Sequence, residues 1–212
     1  MDSKRFWIIL AVVIVGLAGA FMYTGKSKEA VDSNAKGSSN YYGKLDSPVT
    51  ITEYVDFQCE ACYSYYPSVK QAKEQFKDKV KFQVKYFPIS SSHQFSLAAA
   101  RSAEAAARQG KFWEMHDRLF EGQKMWEQTP NAQTTFDQYA EEIGLDMAKF
   151  KADREGTDVM SVINKDLDDV KKIGGTGTPT FAINGKKVEN PGTGEALTKM
   201  IEDAIAANEK KQ

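Results

Sequence analysis

From Pro48 to Phe57 apolar and β-branched residues crowd together and partly alternate, with Val49, Ile51, Glu53 and Val55 on one side of an extended chain. That pattern predicts a buried strand. At Glu60 the period lengthens to that of a helix, which puts Cys62, Tyr66, Val69, Ala72 and Phe76 on one face. Pro67 cannot donate to the carbonyl of Tyr63, so a kink is expected there. Val80 to Phe87 reads as a second strand, ended by Pro88. Strand, helix, strand is a βαβ unit and implies parallel pairing.

From about residue 90 to residue 173 the strand pattern disappears and helices follow one another. Ala98 to Ala107 is alanine-rich, and Phe112, Met115, Leu119 and Phe120 mark the next helical face. Thr135 with Gln138 reads as a capping box, Gly144 as a stop, Asp146 as a cap, and Thr157 as the start of a longer helix. Strand character returns at Thr180 to Ile183. Asn184-Gly185 suits a two-residue hairpin leading into Lys186 to Val188. Thr193 then caps an amphipathic helix through Leu197, Met200, Ile201 and Ile205.

The N-terminus departs from this globular pattern. Phe6 to Tyr23 is apolar and carries no charge, and Lys4 and Arg5 precede it. The run is long enough to cross a bilayer. Ala18-Gly19-Ala20 also fits the cleavage site of a signal peptide, although Phe21, Met22 and Tyr23 carry the apolar run beyond it. Read as an uncleaved signal anchor, residues 1–23 would leave a short tail inside and export the C-terminal side across the cell membrane. Thr24 to Lys44, rich in Ser, Gly, Lys and Asn, reads as a flexible tether with roughly 25 Å of reach. Residues 45–208 form the domain proper, with a helical insertion over about 90–173.

With 212 residues, 42% of them hydrophobic, and a formal net charge of −1, the chain has material for one medium domain but no basic excess for nucleic acid. Its chemistry concentrates in its two cysteines, Cys59-Glu60-Ala61-Cys62, at the predicted helix start. Unpaired N–H groups and the helix dipole favour a thiolate there, with Cys59 exposed and Cys62 against the body of the domain. Residue chemistry alone leaves three readings: reversible disulfide exchange, a structural staple, or half of a metal site. A staple closing so short a loop removes little entropy from the unfolded chain. A metal would need ligands from His93 or His116, and neither has finger-like spacing. His116 reads as a packing histidine, and His93 as a residue at the start of the helical insertion. Glu53, between Ile51 and Val55 on the inward face, is a carboxylate that is costly to bury without a role. Tyr63, Tyr65, Phe57 and Trp113 read either as core or as an apolar rim.

Three ordered stretches carry a family resemblance: Pro48 to Cys59, Gly110-Lys111-Phe112-Trp113-Glu114-Met115-His116-Asp117, and Gly177-Thr178-Pro179-Thr180-Phe181. Together they resemble the DsbA-type thiol:disulfide oxidoreductases over nearly the whole soluble part. The resemblance implies an α/β fold, a thioredoxin-like mixed sheet flanked by helices and interrupted by an all-helical subdomain. It implies that Cys59 attacks, Cys62 resolves, and Glu53 is the buried acid that moves a proton to or from Cys62. It implies a cis bond between Thr178 and Pro179, whose backbone pairs with an extended substrate beside Cys59. Asp56 also matches the family pattern, without an assigned role. No cofactor or metal is needed beyond the cysteine pair. The partners implied are unfolded or cysteine-containing exported proteins and a membrane redox partner. Relatives commonly have proline after the first cysteine, and strongly oxidising ones have histidine before the second. Glu60 and Ala61 at those positions lead to the expectation of a less stabilised Cys59 thiolate.

Overall fold

A computed structural model describes residues 36–210. Strand β2 (Thr50–Val55) is buried on both sides, as its run of Ile, Tyr and Val requires, and it leads through a short loop into helix α1 (Glu60–Phe76). Strand β3 (Lys81–Tyr86) returns parallel to β2, with Thr50 opposite Lys81 and Val55 opposite Tyr86. Pro67 stands inside α1, which continues through it as one helix.

The inserted subdomain consists of α2 (Ser96–Ala107), α3 (Phe112–Glu121), α4 (Gln123–Trp126), α5 (Ala132–Glu142), α6 (Met147–Glu155) and α7 (Thr157–Lys172). Small residues let α2 sit at its centre, where Ala99, Ala103, Ala105 and Ala106 are fully buried. Asp146 caps α6 as its position predicts, accepting from Lys149 N at 3.0 Å. The capping box expected at Thr135 and Gln138 is not formed. α5 starts four residues earlier, where the cap Asn131 accepts from Gln133 N, and the two residues lie inside the helix.

Strand β4 (Thr180–Ile183) pairs antiparallel with β2, and the Asn184-Gly185 turn joins it to β5 (Lys186–Lys187). Asn184 has φ 49° and Gly185 φ 75°, the left-handed pair that such a hairpin needs. Helix α8 (Gly194–Glu209), capped by Thr193, lays Leu197 and Ile201 on the sheet with Phe76, Phe82 and Phe181. Each such side chain contributes about 2 kcal/mol on leaving water. The other sheet face meets α7, with Tyr54, Val170 and Ala182 packed together.

Among the described residues five strands run in the order β1-β3-β2-β4-β5, and β1 (Asn40–Gly43) corrects the expected tether. Part of the stretch read as flexible is an edge strand antiparallel to β3. Polar groups hold it in place: Ser38 reaches Asp166 and Val84, and Asn40 Nδ2 donates to the Tyr86 hydroxyl at 3.0 Å. A hydrophobic pattern does not register such an anchor. Gly43 ends the strand with φ 83°, and a Cβ there would meet the Val80 carbonyl at 2.7 Å. The rest of the tether reading, up to residue 35, and the apolar run Phe6 to Tyr23 lie outside the described residues. Among the described residues no helix is long and apolar enough to cross a membrane.

Candidate active site

The loop after β2 places Cys59 as the residue preceding α1, with extended backbone (φ −73°, ψ 125°), and its carbonyl accepts from Tyr63 N at 3.0 Å. The first N–H groups of α1 therefore face its sulfur. Cys59 is less open than expected, with 9% of its surface exposed against 1% for Cys62. Its cover comes from the opposite loop. The bond between Thr178 and Pro179 is cis, and Cys59 Sγ lies 3.4 Å from the Thr178 carbonyl oxygen. Two residues 119 positions apart thus meet, as the resemblance implies. Both cysteines are free thiols in this structure.

The environment drives the two thiols apart. A hydrogen bond from Cys62 is the largest influence on Cys59. Partial burial opposes it, and Thr178 and the N–H groups of Cys62 and Ala61 add to it, so that Cys59 is pulled down to about 5. Burial pushes Cys62 well above the ordinary thiol range, and its hydrogen bond to Cys59 pushes the same way. Glu53, beneath them on β2, is buried, and desolvation pushes its carboxyl up to about 8. The space beside it, about 20 Å³, is walled by Ile51, Val69, Ala72 and Trp113, with the Lys73 side chain on the same wall. The Lys73 ammonium rests 4.0 Å from the Trp113 ring centre and 4.5 Å from that of Tyr42.

Glu60 does not burden the site as its sequence position implies. Its carboxylate turns outward to Lys124 Nζ at 3.1 Å, a partner supplied by α4 of the helical subdomain. Asp56, without an expected role, organises the loop. Its carboxylate accepts from Gln58 N and Ile89 N, each at 2.8 Å, and contacts His93 Nδ1 at 2.7 Å. His93 therefore ties the start of the insertion to the cysteine loop. Gln58 adds a second tie by accepting from Phe95 N at 2.7 Å.

His116 packs as expected. It is buried among Phe57, Tyr66, Phe112, Trp113 and Phe120, with Nδ1 2.9 Å from Asp117. Burial lowers its pKa. Phe57 is fully buried and belongs to the core rather than to a rim, whereas Met125 on α4 is 69% exposed. Among the described residues no group of three or more His, Cys, Asp or Glu side chains is placed to hold a metal ion.

Residues 35–203 match the family described as Thioredoxin. The chain belongs to the thioredoxin family. Within that fold it is similar to a thioredoxin-like oxidoreductase from Silicibacter pomeroyi DSS-3, with 26% identity and a TM-score of 0.63, covering 84% of this chain and 94% of that one. It shares its fold with alpha-DsbA1 from Wolbachia pipientis at a TM-score of 0.70 and 20% identity, covering 81% and 93% of the two chains. A curated relative, the Na(+)/H(+) antiporter NhaA 3 of Salinispora tropica, is 36% identical over 168 residues, 78% of this chain. The chain spans about a quarter of that protein's length, 24%, so the likeness concerns one segment of it. The cis-proline loop facing the cysteine helix is the part of the family architecture that the motifs already located.

Proposed function

We propose that this chain is a thiol:disulfide oxidoreductase that oxidises cysteines of exported proteins while tethered to the cell membrane by its N-terminal segment. The observation that carries the reading is Cys59 at the head of α1, its sulfur against the Thr178 carbonyl and Cys62 behind it. In the oxidised protein a substrate thiolate attacks Cys59 Sγ and breaks the Cys59–Cys62 bond. The electron pair leaves on Cys62, which takes a proton. Glu53, held protonated at neutral pH by its burial, is the donor for that proton. A second substrate thiolate then attacks the substrate sulfur of the mixed disulfide and expels Cys59. A thiol with so low a pKa is a good leaving group. The substrate becomes a disulfide, the protein a dithiol, and a membrane redox partner restores the pair.

The backbone of Thr178 and Pro179 aligns the substrate as an extended segment. No cofactor takes part. The low Cys59 pKa favours the oxidase direction, because a stabilised thiolate makes the disulfide a better oxidant.

The test is Cys59→Ser in the full chain, assayed for oxidation of a reduced substrate and for insulin reduction. Loss of at least about 1,000-fold is expected for a residue that makes and breaks the reacting bond. Unchanged turnover would leave a substrate-holding or metal-binding module. Equilibration of the wild-type pair against glutathione decides direction. A potential near −270 mV, roughly that of thioredoxin, would replace the oxidase by a reductase or isomerase.

A further inference from the structure

Gln123 opens α4, and its side chain is fully buried against the cysteine loop. Its Nε2 donates to the Phe57 carbonyl at 2.8 Å and to the Cys59 carbonyl at 3.2 Å. Both partners are acceptors, so only the NH₂ end of the amide can face them. The other end, Oε1, is buried and has no hydrogen-bond partner among the described residues. An unpaired amide oxygen costs about 1–3 kcal/mol, and a Met or Leu of similar volume would fill the same space without it. The advantage of glutamine here lies in the two carbonyls.

Those carbonyls belong to the Phe57–Gln58 peptide unit, one unit upstream of Cys59's own amide, and to the unit that follows Cys59. The unit following Phe57 also carries the Gln58 N–H bound to Asp56, and the unit following Cys59 begins α1. Fixing both planes fixes the path of the backbone between them, and with it the aim of Sγ at the helix N–H groups and the Thr178 carbonyl. The clamp comes from the inserted subdomain, 64 residues further along the chain than Cys59.

We propose that Gln123 is a positioning residue for thiol exchange, through which the helical subdomain sets how strongly the start of α1 stabilises the reduced form of Cys59. The proposal rests on the reading of Cys59 as the exchange thiol. Its test uses properties of the cysteine pair alone, so it stands or falls separately from the substrate assays.

Gln123→Met in the full chain removes both donors at nearly constant volume. The Cys59 midpoint, followed by thiolate absorbance in the ultraviolet, is expected to rise by about one unit. The equilibrium with glutathione is expected to move about tenfold toward the protein disulfide, or about 30 mV. A midpoint and an equilibrium both within twofold of wild type, with only the melting temperature lowered, would make Gln123 a packing residue and overturn the proposal. If the variant does not fold, the wild-type protein answers the question by nitrogen-15 NMR. The Gln123 side-chain amide signals should differ between reduced and oxidised protein and titrate with the Cys59 midpoint. Signals indifferent to both would overturn the proposal.

Discussion

Two buried carboxyl groups serve the same sheet under opposite arrangements. Asp166, on α7 behind β3, is fully buried and surrounded by donors: Ser38 N at 3.1 Å, Ser38 Oγ at 2.5 Å, Tyr86 N at 3.1 Å and Lys85 Nζ at 3.2 Å. Glu53, on β2 beneath the cysteines, is shaped by desolvation alone. Burial pushes both upward, but at Asp166 the lysine and the hydrogen bonds oppose it. The first arrangement, still raised on balance by burial, holds a carboxyl among donors and so fastens β1 to α7. The second leaves a proton available near neutral pH. Burial by itself therefore marks neither structure nor chemistry; the surrounding donors distinguish them.

Breaking the first arrangement should cost stability at neutral pH. Asp166→Ala leaves Lys85 with only Asp169 and orphans the Ser38 and Tyr86 N–H groups, so a loss of about 3–5 kcal/mol is expected in chemical denaturation. The glutathione equilibrium of the cysteine pair should stay within twofold, and a larger shift would dissolve the contrast.

Glu53→Gln probes the second arrangement. A carboxyl raised from 4.5 to about 8 contributes stability that is fully present below the unfolded value and is lost as pH rises through about 8. The stability of wild type relative to the Gln variant should therefore fall between about pH 4.5 and 8, by something on the order of 4 kcal/mol. Exchange should slow about 100-fold, because the Gln side chain offers no titratable proton. A flat stability difference across that range would remove Glu53 as a titrating group.

The smallest effect belongs to an exposed pair. Lys124→Met frees Glu60, and the glutathione equilibrium should move less than about threefold, toward the disulfide, shrinking further at high salt. A tenfold shift would mean that surface charge, and not burial, governs the pair.

What the sequence disclosed follows from how far each feature reaches along the chain. The βαβ unit, the cysteines at the head of α1, the Asn184-Gly185 hairpin and the caps Asp146 and Thr193 depend on neighbours within a few residues. Glu53 was legible because strand alternation put it on the inward face. The cis-proline loop was legible only through the family resemblance. Gln123 and Lys124 were not, since each acts on the cysteine loop from 64 or 66 residues away, and nothing local marks a glutamine as a clamp. Asp56 was named without a role for the same reason: His93 lies 37 residues on. Strand β1 escaped because its anchors, Ser38 and Asn40, are polar residues of a kind that also makes linkers.

The direction of β1 has a practical consequence. Asn40 pairs with Val84 and Gly43 with Lys81, so the strand begins at the end of the sheet from which β2 runs on to Cys59. Asn40 therefore sits toward the cysteine end of the sheet and Gly43 at the far end. The Asn184-Gly185 turn lies at the opposite end of β2, beside Ile51. A fluorophore or surface linkage placed there sits at the end of the sheet away from Cys59.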